Sequence, residues 1–287
     1  MGFPVSLRVD DPGAGADVGA AADAVFAWLR EADERFSPFK PGSEVSRYGR
    51  GDLPSARVGA DLAEILRLCE HYRAATGGAF DAWLPERGFD PCAVVKGWAV
   101  QRAAGLLDAA GARRYCLNAG GDVVVAGGPW RIGVRHPETA DRLCAVVELG
   151  EECEKGGEVA AVEGAGGAGG AAGLRAVATS ARYERGDHIL DARSGRAATE
   201  LVSVTVVAPT LTEADAVATA AFAMGAAGVE WAAGVAGCEV FAVDAGLRVR
   251  RSAGFPGGGG CGGEPGVESP PPPLPVPDRG GGGARGA

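Results

Sequence analysis

The order of two hydrophobic periodicities along the chain limits its fold more than any other feature. Apolar residues recur at helical spacing in the first half, in the segments 16–37, 61–78 and 95–111. Short strand-like runs dominate the second half, at 115–128, 130–136, 144–150, 201–209 and 238–246, with one helical segment among them at 210–225. Because helices and strands are segregated rather than alternating, the pattern predicts an α+β fold instead of a doubly wound parallel sheet.

Two low-complexity stretches interrupt this pattern. Residues 150–173 are rich in Gly, Ala and Glu, and residues 256–287 are rich in Gly and Pro. Both contain too few large apolar side chains to offset the conformational entropy lost on ordering. The sequence therefore predicts one domain over 1–255, with a flexible Gly-rich insert at 150–173 and a disordered tail at 256–287.

Charge and cysteine content narrow the class of protein. The formal net charge of -9 and pI of about 5.0 argue against a nucleic-acid binder or an anionic-membrane binder, since both need clustered positive charge. The seven cysteines include no C-x-x-C pair, which favours reduced thiols. No signal peptide and no membrane-spanning run is recognisable. We therefore expect a cytoplasmic protein whose partners are small molecules or other proteins.

The segment TLTEADAVATAAFAMG at 210–225 contains a candidate metal-binding pair. Thr210 and Glu213 fit a capping box, so the helix begins there, and Gly225 follows its last apolar turn. Asp215 and Thr219 are four residues apart and share a helix face. One carboxylate and one hydroxyl suit Mg²⁺, although the same Asp could only stabilise the helix N-terminus and the same Thr could only fill space.

Two further stretches suggest the walls of a phosphate site. Lys96 stands near the start of a helix, where it is either a phosphate contact or a solvated surface charge. Gly120 and Gly121 precede Asp122 and a strand, which indicates a close backbone approach to a ligand, a tight bend or a β-bulge. The spacing is not the G-x-G-x-x-G of a dinucleotide site.

The polar segment at 177–199 contains His188 between Asp187 and Asp191. Histidine can accept a proton from an attacking hydroxyl near neutral pH, and neighbouring carboxylates can orient its ring. This arrangement suggests a general base, while an ordinary loop histidine is the competing interpretation.

Taken together in this order, several stretches resemble one known family. They are MGFPVS, FSPFKPGSEVSRYGRG, GGAFDAW, DPCAVVKGWAVQRAA, LNAGGDV, WRIGVRHP, ATSARYERGDHILDARSG and SVTVVAPTLTEADAVATAAFAMG. The chain resembles the ApbE family of FAD:protein FMN transferases from its first residue to about residue 255. The resemblance implies a single α+β domain of the ApbE type, similar to the T-fold. It also implies Mg²⁺ as cofactor, FAD as donor, and transfer of FMN to a threonine of an acceptor flavoprotein with release of AMP.

The resemblance also assigns roles to individual residues. It implies that Asp215, Thr219 and the backbone oxygen of Ala93 bind the metal, and that His188 is the general base. The FAD contacts that it implies are Met1, Phe39, Ala79, Phe80, Asp81, Asp90, Lys96 and Leu190. No acceptor segment of the family's kind occurs in this chain, so the target threonine is expected in another protein.

Four departures from the family pattern accompany these assignments. Ala218 replaces a second acid found in many members, Phe39 replaces a frequent tyrosine, Pro91 and Cys92 replace the usual D-L-G, and Ala181 replaces a glycine. Two alternatives therefore stay open at this point. The site could hydrolyse FAD to FMN and AMP, or the protein could bind flavin without catalysis.

Overall fold

The computed structural model describes residues 2–84, 87–150 and 175–258. The predicted FAD contact of Met1 lies outside the described residues. So do nearly all of the insert predicted at 150–173 and the tail from residue 259 onward.

Seven helices lie within the described ranges. They are α1 Val18–Phe36, α2 Glu44–Gly49, α3 Ala60–Ala75, α4 Cys92–Ala109, α5 Arg182–Arg185, α6 Leu211–Met224 and α7 Ala226–Ala233. The four predicted helices correspond to α1, α3, α4 and α6 and are confirmed. Helix α7 is not predicted, because Gly225 indicates the end of a helix. In the structure Gly225, with φ of 66°, ends α6 and a second helix follows at once.

Fourteen strands lie in the same part of the chain, several of them only two residues long. They are β1 Val5–Asp11, β2 Trp83–Leu84, β3 Gly88–Phe89, β4 Arg114–Ala119, β5 Asp122–Ala126, β6 Trp130–Arg135, β7 Leu143–Leu149, β8 Arg175–Ala181, β9 Leu190–Asp191, β10 Arg196–Ala197, β11 Leu201–Ala208, β12 Glu239–Asp244, β13 Val249–Arg251 and β14 Gly257–Gly258.

A seven-stranded antiparallel sheet organises the molecule, in the order β1-β4-β5-β8-β11-β12-β13. The run predicted at 115–128 is two strands, β4 and β5, joined by Gly120 and Gly121. Both glycines have positive φ, 62° and 94°, as the two central residues of a type I′ hairpin turn require. The tight bend is therefore confirmed, and the β-bulge interpretation is wrong.

The sheet is covered on both faces. Helices α1, α4 and α6 pack on one face, where Val124 of β5 joins their core. A three-stranded sheet, β14-β7-β6, packs on the other face against Val123 and Val125. Burial on both faces explains why β5 is an unbroken apolar run after its first residue. The architecture confirms the predicted α+β class.

Strand pairing extends past the domain boundary predicted at residue 255. Gly257 and Gly258 pair with Val147 and Val146 of β7, and so the folded body continues to residue 258. Small residues suit this position, because a Cβ on Gly257 would collide with the Val146 carbonyl group. Within the described residues, no helix is both long and apolar enough to cross a membrane.

Candidate active site

A cavity of about 1220 Å³ opens beside the start of β1 and the β4–β5 turn. Its wall includes most of the residues that the sequence singled out, namely Phe39, Phe80, Asp81, Asp90, Ala93, Lys96, His188, Leu190, Asp215 and Thr219. Ala79 is the exception among the described ones. It is fully buried behind the wall, and its carbonyl oxygen accepts a hydrogen bond from the Ala192 N–H at 3.0 Å.

Helix α6 brings the candidate metal ligands into the cavity. The Thr210 hydroxyl accepts a hydrogen bond from the Glu213 N–H at 3.2 Å, which confirms the predicted cap. Asp215 lies one turn inside the helix and is only 2% exposed, so it belongs to the buried interior rather than to the surface. Thr219 follows one turn later and lines the same cavity.

Three charged side chains from different parts of the chain meet here, and we call Lys96, Asp122 and Asp215 the carboxylate–lysine cluster. The Lys96 ammonium lies 2.6 Å from Oδ2 of Asp122 and 3.3 Å from Oδ1 of Asp215. Asp215 Oδ2 accepts a hydrogen bond from the Gly97 N–H at 2.8 Å. Asp122 Oδ1 accepts another from the Thr179 N–H of β8 at 3.2 Å. Lys96 is therefore an ion-paired side chain and not a solvated surface charge.

The electrostatics of the cluster favour an additional cation. Burial raises the pKa of Asp215 to about 7, because the Lys96 ammonium only partly offsets the cost of keeping this carboxylate charged away from water. Burial likewise raises the pKa of Asp122. Burial by itself would lower the pKa of Lys96, but the two carboxylates outweigh it and raise that pKa. One ammonium thus faces two buried carboxylates, and a bound metal ion would relieve the excess negative charge.

Gly97 allows α4 and α6 to approach closely at the cluster. A Cβ at this position would lie 2.8 Å from the Asp215 Cβ and would collide with the Leu211 carbonyl group. Glycine therefore lets the backbone of α4 reach Asp215 and donate its N–H there. The short contact also places the neighbouring Lys96 against the start of α6.

The remaining candidate ligands are oxygen donors. The Thr219 hydroxyl lies 3.0 Å from the Ser180 hydroxyl, and if it donates to Ser180 its lone pairs stay available to a cation. Ala93 lies in the first turn of α4, on the same cavity wall. A carboxylate, a hydroxyl and a carbonyl form the donor set of a hard cation such as Mg²⁺, so these residues fit the metal that the resemblance implies. Within the described residues, no group of three or more His, Cys, Asp or Glu side chains could hold a metal ion.

Two departures from the family pattern, at Ala181 and Ala218, are accommodated without backbone strain. Ala181 has φ of -152° and ψ of 157°, an extended conformation that any residue adopts, so the glycine that it replaces is not needed for φ. Ala218 is fully buried among apolar neighbours and does not line the cavity.

His188 lines the cavity, but the two carboxylates expected to contact its ring pair with arginines instead. Asp187 pairs with Arg182 at 2.5 Å, and Asp191 pairs with Arg193 at 2.8 Å. The ring instead has Nδ1 at 3.0 Å from the Gly186 carbonyl oxygen. Because a carbonyl can only accept, Nδ1 carries the proton in this contact and Nε2 can accept one. The prediction that neighbouring carboxylates orient the ring is thus wrong, and a backbone carbonyl does so.

The mouth of the cavity combines an exposed aromatic ring with ordered turns. Phe39 is 81% exposed, and so its ring is available to a ligand. Asp81 caps the Trp83 N–H at 2.8 Å. Asp90 caps the Cys92 N–H at 3.1 Å, at the start of α4. The two carboxylates therefore shape the turns on either side of the β2–β3 hairpin.

Asp122 is the site residue that the sequence interpretation missed. The pair Gly120-Gly121 predicts a bend, whereas no role is predicted for the carboxylate that follows it. Asp122 begins an apolar strand and is only 1% exposed. A charged residue leading a run of valines already signals burial, and a buried carboxylate requires a partner.

Comparisons with known proteins point to one family. The sequence model of the ApbE family matches residues 1–86 and 84–242. An FAD:protein FMN transferase of Klebsiella pneumoniae is 30% identical over 146 residues, which are 46% of this chain and 35% of the relative. Another, from Salmonella typhimurium, is 27% identical over 194 residues, covering 63% of this chain and 47% of the relative. The chain thus spans less than half the length of these two relatives.

Solved structures show the same fold. The flavin transferase ApbE from Vibrio cholerae superimposes with a TM-score of 0.70 at 20% identity, over 89% of this chain and 95% of that one. The ApbE protein of Thermotoga maritima also gives a TM-score of 0.70, at 21% identity over 88% and 97% of the two chains. At this level of identity the likeness establishes the fold.

Proposed function

Because this chain belongs to the ApbE family, we propose that it is an Mg²⁺-dependent FAD:protein FMN transferase. Its reaction transfers the FMN moiety of FAD to a threonine hydroxyl of an acceptor flavoprotein and releases AMP. The observation that carries the proposal is the meeting of Lys96, Asp215, Thr219 and His188 on the wall of one large cavity, with Asp122 paired to Lys96 behind it. The names of the relatives from Klebsiella pneumoniae and Salmonella typhimurium support the same activity.

The metal site in this proposal consists of Asp215, Thr219 and the carbonyl oxygen of Ala93. Magnesium bound there would stabilise negative charge on the diphosphate of FAD. Asp215 supplies the only carboxylate of this set, and its raised pKa of about 7 reflects a charge that the protein alone neutralises incompletely. The Gly97 N–H fixes the orientation of that carboxylate before any ligand arrives.

The FAD contacts in this proposal surround the metal site. Lys96 faces the diphosphate, Asp81 and Asp90 hold the turns of the wall, and the ring of Phe39 covers the mouth. Phe80 and Leu190 contribute apolar wall next to them. Positioning of FAD by these residues accounts for much of the expected rate, since phosphoryl transfer depends chiefly on orientation and electrostatics.

His188 takes the proton in the chemical step. The threonine oxygen of the acceptor attacks the phosphorus of the FMN half, and a phosphoester bond forms. The bond from that phosphorus to the bridging oxygen breaks, AMP leaves with that oxygen, and the threonine proton passes to Nε2 of His188. In the neutral ring, the contact from Nδ1–H to the Gly186 carbonyl leaves Nε2 as the nitrogen that can accept this proton.

One experiment separates this proposal from its alternatives. The protein is incubated with FAD and Mg²⁺, with and without candidate acceptor flavoproteins, and covalent flavin is measured by intact mass while AMP is measured by chromatography. Flavin on the acceptor threonine supports transfer. AMP formed equally without acceptor indicates FAD hydrolysis, and FAD binding without AMP indicates a non-catalytic flavin protein. A cytoplasmic location stays a prediction from the sequence.

A further inference from the structure

Both oxygens of the Asp215 carboxylate are already engaged in this structure. Oδ2 accepts the Gly97 N–H at 2.8 Å, and Oδ1 faces the Lys96 ammonium at 3.3 Å. The ammonium is nearer to Asp122, at 2.6 Å. Lys96 therefore has one close carboxylate partner and one looser partner, and the looser one is the proposed metal ligand.

We propose that Lys96 is the resident cation of Asp215 in the metal-free protein, and that a divalent cation displaces it from Asp215 while Asp122 holds it in the site. Asp122 is thus a positioning residue that acts through Lys96. This inference rests on the proposed function only in taking Asp215 as a metal ligand.

Electrostatic repulsion supplies the reason for displacement. A divalent ion binds a carboxylate oxygen at roughly 2.1 Å, so on Asp215 it would lie within a few ångströms of the Lys96 ammonium. Two cations that close repel each other, and the low dielectric of a buried site screens this repulsion less than water does. The 3.3 Å contact with Asp215 can lengthen more readily than the 2.6 Å contact with Asp122.

The surroundings determine where the displaced ammonium goes. Asp122 accepts a hydrogen bond from the Thr179 N–H and is only 1% exposed, so it stays in place. The Lys96 side chain is 27% exposed and lines the cavity, so its ammonium can turn outward without leaving Asp122. In that position it faces the anionic part of a ligand. Metal binding and diphosphate binding would then strengthen each other by the same factor.

The test measures metal binding in the absence of FAD. Free Mn²⁺ is followed by electron paramagnetic resonance as it is titrated into the purified full chain, for the wild type and for the variants Lys96→Met, Lys96→Arg and Asp122→Asn. Lys96→Met removes the competing charge and keeps most of the stem, so Mn²⁺ should bind roughly tenfold more tightly, since one nearby unit charge changes the binding free energy by more than RT. Lys96→Arg keeps the charge and should show no such gain.

Asp122→Asn tests the positioning role. Lys96 then loses its closer partner and depends on Asp215, so Mn²⁺ should bind more weakly than in the wild type. The loss should be smaller when Asp122→Asn is combined with Lys96→Met, because no ammonium remains to be positioned. An equal loss of Mn²⁺ affinity in the wild-type and Lys96→Met backgrounds would mean that Asp122 binds the metal directly or acts on it through its charge. Either result would overturn the positioning role. Thermal melting without metal identifies any variant that does not fold. If Lys96→Met does not fold, the test rests on the two single variants Lys96→Arg and Asp122→Asn.

The outcomes separate this inference from the proposed function. Unchanged or weaker Mn²⁺ binding in folded Lys96→Met would refute the competition while leaving the transferase proposal intact. Absence of Mn²⁺ binding in every folded variant would refute the inference together with the metal site. Tighter binding in Lys96→Met would support the inference even if no FMN transfer were found.

Discussion

Replacing Gly97 by alanine tests whether the close approach of α4 and α6 builds the site. The added Cβ would lie 2.8 Å from the Asp215 Cβ and would overlap the Leu211 carbonyl group, which is backbone and cannot rotate away. Overpacking of this kind typically costs about 1–3 kcal/mol, against a gain of about 1 kcal/mol from better helix propensity. We expect a net loss of up to about 2 kcal/mol, which corresponds to a fall of several °C in the melting temperature.

Gly105→Ala is the matched control for this prediction. Gly105 lies in the same helix and is exposed, and a Cβ there would meet nothing within 4 Å. This variant should gain about 1 kcal/mol from helix propensity alone. Thermal unfolding by circular dichroism measures both variants, and AMP release with FAD and Mg²⁺ should fall only in Gly97→Ala, where Asp215 is pushed aside. If both substitutions raise the melting temperature and leave activity unchanged, the proposed role of the α4–α6 contact is wrong.

Three other predictions follow from the site and the sheet. Asp215→Asn keeps the side-chain volume and the acceptor for the Gly97 N–H but removes the charge, so Mg²⁺-dependent AMP release should be lost. The control Asp187→Asn, which breaks a surface pair with Arg182, should retain AMP release. Similar AMP release in both variants would exclude Asp215 as a ligand. His188→Asn should bind FAD nearly as well as the wild type, by fluorescence, while transfer falls by the ~10²- to 10⁴-fold typical of a missing general base; a parallel loss of affinity and rate would make His188 a pocket contact only. A chain ending at residue 255 should melt below one ending at 258, because only the longer one retains the pairing of Gly257 with β7; equal melting temperatures would mean that this pairing adds no stability.

Local features of the fold could be predicted from the sequence because their causes lie within a few residues. Helix α6 is capped at its start by Thr210, whose hydroxyl accepts the N–H three residues later, and at its end by Gly225. The buried side of α1 repeats at helical spacing and includes Val25 and Leu29. Such periodicities and caps also predicted the α+β class, since they show which segments are helices and in what order.

The polar segment around His188 shows the limit of reading neighbours along the chain. Asp187 and Asp191 are close to His188 in sequence, but each pairs with an arginine instead, Arg182 and Arg193 respectively. An arginine pairs with a carboxylate through a charged hydrogen bond, which is stronger than a contact to a neutral ring. Sequence proximity could not predict which of these partners each carboxylate would choose.

Some properties of the candidate site were determined by the sequence alone and others only by the tertiary structure. The residue types, the helix that carries Asp215 and Thr219, and the resemblance to the ApbE family are all legible in the sequence. The carboxylate–lysine cluster is not, because Asp215 and the Gly97 N–H that it accepts are 118 residues apart in sequence. Their contact depends on α4 and α6 packing on one face of the sheet while the β4–β5 turn brings Asp122 beneath them. Periodicity records only the surroundings of a residue along its own helix or strand, whereas packing between distant segments decides which buried charges meet.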